Sequence, residues 1–152
     1  MMKTGLIIVF NSFENFNLKS HFIDSINKIK DAKVCLVCAN PNEEAFEGLA
    51  EIADQCENAN VINIKRNKSK TSSVRAGARF LSNKYNLKHL GFIAELSDLE
   101  ILEVLKTYLK RQEKIVALNQ EEQKNKAVKQ TFFQSLFSVQ EYLKIIASGS
   151  II

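Results

Sequence analysis

The chain has 152 residues, of which 45% are hydrophobic and 25% charged. That balance suits one globular domain and excludes a disordered, collagen-like or coiled-coil protein. One proline, Pro41, and five glycines argue against a loop-rich or β-sandwich fold, and the net charge of +4 is modest.

The first element is Gly5-Leu6-Ile7-Ile8-Val9-Phe10, an unbroken apolar run that predicts a strand buried on both faces. Leu18, Phe22, Ile26 and Ile29 then repeat with helical spacing. Val34 to Ala39 predicts a second strand. Asn40-Pro41-Asn42 breaks the chain, with Asn42 the expected N-cap of a helix from Glu43 to about Cys56. Val61 to Ile64 is a third strand. A basic loop, Lys65 to Lys70, leads into a helix from about Ser72 to Tyr85, with Val74, Ala78, Leu81 and Tyr85 inward. Leu90 to Ala94 is a fourth strand, and a helix from Asp98 to about Gln112 follows. Ile115 to Leu118 is expected as a short fifth strand, and Glu121 to Gln130 as an exposed connector or weak helix. Phe132, Phe133, Leu136 and Phe137 form an apolar cluster. Ser138 and Glu141 have the spacing of a capping box that opens a last helix.

Strands alternating with helices predict one α/β domain over residues 1–152, with a core to residue 120 and a helical tail from 121 to 152. The expected architecture is a three-layer α/β/α sandwich with a mainly parallel sheet and core strand order 3-2-1-4. Ligands in such sheets bind beyond the carboxyl ends of the strands, at the switch point between strands one and four.

Cys35-x-x-Cys38 has the spacing of a redox or zinc pair, but it sits in a buried strand. Residues three apart there point to opposite faces, so the three cysteines are expected to be core thiols. Reduced thiols, no visible targeting segment and no apolar run near the roughly 20 residues of a bilayer span predict a cytoplasmic protein. From Asn58 to Ala94 there is no acidic residue, while eight lysines and arginines occur. Such a block attracts phosphate or forms a solvated basic face. Between Lys65 and Lys88 the only aromatics, Phe80 and Tyr85, suit the helix core, which disfavours nucleic acid as partner.

The strand ends carry no phosphate loop and no dinucleotide glycine motif. Their order and spacing nevertheless resemble the nucleotide-binding half of family 2 glycosyltransferases. Ile7 to Asn11 resembles the opening strand and its aromatic–Asn end. Leu36 to Asn42 stands in place of the second strand and its acidic turn, and Asn67 to Gly77 in place of a segment that starts and ends Asn-x-Gly. Phe92-Ile93-Ala94-Glu95-Leu96-Ser97-Asp98 falls where the metal-binding Asp-x-Asp follows strand four, and Ala147 to Ser150 resembles a Ser-Gly element of rhamnosyltransferase-like members. The resemblance implies the GT-A fold and a nucleotide-sugar ligand. It implies nucleotide contacts at Phe10, Asn11, Ala39, Asn40, Arg66, Lys68, Arg75 and Arg79, and a Mg²⁺ or Mn²⁺ ion at Glu95 and Asp98.

The departures from the family pattern are chemical. Ala39 and Asn40 replace the acidic contact to the base, and Glu95-Leu96-Ser97 supplies one carboxylate where the family has two. The family's acceptor half and catalytic base would lie beyond Ile152, so no catalytic residue is assigned. Inverting transfer needs both the metal and the base, which predicts a degenerate or truncated transferase with weak or no activity. Ser97 to Glu100 also reads as a capping box, with Asp98 favouring the helix dipole. Arg75 and Arg79 share a helix face that either holds phosphate or meets solvent. The alternative function is a non-catalytic interaction module, self-associating or holding a partner protein through the apolar tail from Phe132.

Overall fold

The computed structural model describes residues 4–64, 69–125 and 136–149. Arg66 and Lys68 of the expected phosphate set lie outside these residues, as do Phe132 and Phe133 of the apolar cluster. Strand β1 (Thr4–Phe10) is buried along its whole length, as its unbroken apolar run requires. It pairs in parallel with β2 (Ala32–Cys38) on one side and β4 (His89–Ile93) on the other, with Ile7 opposite both Cys35 and Phe92. β3 (Ala59–Asn63) adds to β2, and β5 (Leu136–Ser138) adds to β4. The five-stranded sheet is parallel throughout, in the order β3-β2-β1-β4-β5. Its core has the expected 3-2-1-4 arrangement.

Alternation along the strands divides the core in two. Leu6, Ile8, Phe10, Leu36 and Cys38 face helices α1 (Lys19–Asn27), α2 (Glu43–Asp54) and α4 (Asp98–Lys124), together with α5 (Val139–Ala147). Ile7, Val9, Cys35, Val37 and Leu90 face α3 (Lys70–Lys84). Cys35 and Cys38 therefore lie on opposite faces, as period-two geometry demands. All three cysteines are free and buried, and burial pushes the Cys35 thiol up to about 12 and Cys56 up to about 11. Such thiols are inert core groups. Gly77 lets α3 lie close on the sheet: a Cβ there would meet Ile7 Cγ2 at 2.6 Å and Val37 Cγ2 at 3.0 Å. Gly91 does the same for β5, because a Cβ would strike the Phe137 ring at 2.7 Å.

The expected fifth strand is a correction. Ile115 to Leu118 lies within α4, and the fifth strand is Leu136–Ser138. Four apolar residues fit either element. No glycine or proline separates Gln112 from Ile115, so the helix runs on. Ile115 and Asn119 are buried four apart, continuing the stripe of Ile101, Leu105 and Tyr108. The N-caps read from the sequence are present. Asn42 accepts from Glu44 N at 2.8 Å, Ser97 and Glu100 form a complete capping box, and Ser138 accepts from Glu141 N at 3.3 Å.

The α4 connection has an unusual consequence. α1 and α4 cover the same face, yet β1→β2 and β4→β5 step in opposite directions across the sheet. The two crossovers therefore have opposite hands. β3→β4 steps the way β4→β5 does, but α3 covers the other face, so it shares the hand of β1→β2. Right-handed connections make up about 98% of such units, and β4–α4–β5 is the odd one of this set.

Candidate functional site

The carboxyl ends of β1, β2 and β4 carry the loops that the switch-point rule singles out. The loop after β1 holds Asn11 to Asn15, and the loop after β2 holds Ala39 to Asn42. They are tied directly: Asn40 Nδ2 donates to Asn11 O at 2.9 Å, and Asn40 Oδ1 accepts from Asn42 N at 2.7 Å. The second bond is an Asx turn, which asparagine forms readily. Asn40 thus fixes one loop internally and holds the other.

The expected nucleotide residues divide by exposure. Asn11 is exposed and Asn40 half-buried, so both present polar atoms at the surface. Phe10 and Ala39 are buried, at 1% and 0% exposure. The Phe10 ring packs edge-on against Phe13 and Phe22, with centroids 5.8 and 5.6 Å away. Only backbone from Phe10 and Ala39 reaches the loop edge. Arg75 and Arg79 are exposed on α3.

Glu95 and Asp98 are engaged by different partners. Glu95 is exposed, with a left-handed backbone at φ 64°, and its Oε1 lies 3.2 Å from Lys70 Nζ. Asp98 is 6% exposed. Its Oδ2 accepts from Glu14 N at 2.9 Å and Asn15 N at 3.1 Å, and its Oδ1 is buried without a hydrogen-bond partner. Asp98 therefore latches the β1–α1 loop onto the start of α4. A divalent cation needs several oxygens converging on one open point. One carboxylate here is neutralised by lysine, and the other is spent on backbone and closed to solvent. Among the described residues no three His, Cys, Asp or Glu side chains group as a metal site. These residues do not fit a Mg²⁺ or Mn²⁺ ion.

Sequence reasoning missed three participants. Lys70, expected at the end of the basic loop, opens α3, where it meets Glu95. Gln140 Oε1 accepts from Ala94 N at 3.1 Å, satisfying the backbone where β4 ends. Ser73, in the first turns of α3, is buried with an unpartnered Oγ. The Lys70 and Gln140 contacts join residues distant in the chain, which no local pattern reveals.

Comparisons with known protein families, with curated proteins and with solved structures find no match in any of the three. No helix among the described residues is long and apolar enough to cross a membrane.

Proposed function

We propose that this chain is a glycosyltransferase-like domain that binds a nucleotide sugar and has weak or no transfer activity of its own. The parallel 3-2-1-4 core supports the reading, because it sets a switch point between β1 and β4. The tied loops after β1 and β2 support it further, with Asn40 holding them together and the exposed Asn11 beside that point. Arg75 and Arg79 supply cations for a diphosphate.

The observation that carries the low activity is the commitment of Asp98. A buried carboxylate whose Oδ2 is bonded to two backbone N–H groups is poorly placed to hold the divalent ion that would neutralise a departing diphosphate. Without that charge stabilisation, transfer loses on the order of 10²-fold or more in rate.

The test is thermal shift with UDP-, GDP- and dTDP-sugars, with and without Mn²⁺, alongside release of free nucleoside diphosphate. The expected result is stabilisation by one nucleotide class, little dependence on metal, and no sustained turnover. If no nucleotide sugar stabilises the chain, the binding reading fails and the interaction-module alternative takes its place. Efficient turnover abolished by Glu95→Ala would instead show a working metal site.

A further inference from the structure

The amino end of the sheet carries a second concavity, of about 770 Å³, which falls in the size range of small-molecule sites. It lies between the α1–β2 turn and the middle of α4. Lys28, Lys30, Lys110, Arg111 and Lys114 line it, against two acids, Asp31 and Glu113. Lys28 is paired with Asp24 at 2.9 Å. The other four cations meet no carboxylate among the described residues. Like charges gathered from two elements repel one another and raise the local potential. A multiply charged anion in the groove would relieve that repulsion.

The rim is held in place. Asp31 takes a left-handed backbone at φ 53°, a conformation that costs a non-glycine residue free energy. Two bonds from other elements secure the corner. Thr4 N donates to Asp31 O at 3.2 Å, and Gln112 Nε2 donates to Lys30 O at 2.6 Å. A fixed rim loses less freedom on binding. Among the described residues no aromatic side chain lines the groove, so they offer no platform for stacking a base. Recognition there rests on charge and on the Arg111 fork, which suits phosphate oxygens.

We propose that this groove binds a small ligand bearing clustered phosphate groups, at a site separate from the carboxyl end of the sheet. The probe is inorganic triphosphate, titrated into the ¹⁵N-labelled full chain at low and at physiological salt. Amide shifts are expected to concentrate at Lys30, Asp31, Gln112 and Lys114, with affinity falling as salt rises. The double variant Arg111→Glu/Lys114→Glu should weaken binding at least tenfold. Gln112→Ala, which keeps every charge and frees the rim, should weaken it severalfold. Both substitutions fall at surface positions, and retained amide dispersion would show that the fold is intact. No shifts at millimolar triphosphate would overturn the proposal. So would shifts confined to Asn11 and Asn40, or equal weakening by Arg75→Glu/Arg79→Glu, which would mark diffuse surface charge. Retention on anionic vesicles without any response to triphosphate would also overturn it, by pointing to a membrane surface.

Discussion

The two ends of the sheet handle charge in opposite ways. At the carboxyl end, the carboxylates that resemble a metal motif are consumed by the fold: Asp98 holds the β1–α1 loop and Glu95 faces Lys70. At the amino end, Lys30, Lys110, Arg111 and Lys114 line a groove without carboxylate partners among the described residues. Next to that groove α4 also carries a buried polar node. Asn119 Nδ2 donates to His89 Nδ1 at 2.7 Å, and Tyr142 Oη donates to Asn119 Oδ1 at 3.1 Å. The contrast teaches that a motif-like acidic position is no evidence of a ligand until its oxygens are accounted for.

The sharpest way to break this comparison is Asp98→Ala. It removes two charge-assisted bonds and strands the Glu14 and Asn15 N–H groups, so it should cost about 2–3 kcal/mol by denaturant unfolding. A cost below about 0.5 kcal/mol would return Asp98 to the pool of ligands. Asn119→Ala should cost about 1–3 kcal/mol, because it removes the buried amide that bridges His89 to the half-buried Tyr142.

The node also predicts a pH dependence. Burial, and then the charge of Lys88, hold the His89 imidazole below its ordinary range near 6.5. The unfolded chain therefore takes up the proton first as pH falls. The stabilisation is complete above about 6.5 and is lost as pH drops through the folded value, which lies lower. Thermal midpoints measured from pH 7.5 to 5 should decline in the native chain and less so in His89→Gln. The smallest effect expected is at Glu95. Glu95→Gly relieves a left-handed backbone at a gain of about 1 kcal/mol, offset in part by losing an exposed ion pair. A slight rise in the thermal midpoint would mark Glu95 as strained and structurally dispensable.

Much of this was legible locally. The apolar run of β1, the caps at Asn42, Ser97 and Ser138, and the opposite faces of Cys35 and Cys38 all follow from spacing within a few residues. The site was legible as a place, since strand alternation locates the loops after β1, β2 and β4. It was not legible as chemistry. Glu95 to Asp98 fitted a metal motif while Ser97 to Glu100 fitted a capping box, and contacts such as the bond from a backbone N–H 84 residues away to Asp98 Oδ2 lie beyond any local pattern. Ile115 to Leu118 fits a strand by local pattern yet continues α4, because four apolar residues carry too little periodicity to tell the two apart.

By itself, then, the sequence determined where each core strand and most helices lie and which side chains turn inward, because those properties repeat with a period of two or 3.6 residues. Tertiary structure alone decided that α4 lies on the face of α1, reversing the hand of the last crossover, and that Leu136–Ser138 completes the sheet. It also decided which carboxylates are spent and which cations are left for a ligand. Those outcomes depend on contacts between distant segments, whose free energies are realised only when the whole core is assembled, and no local pattern carries them.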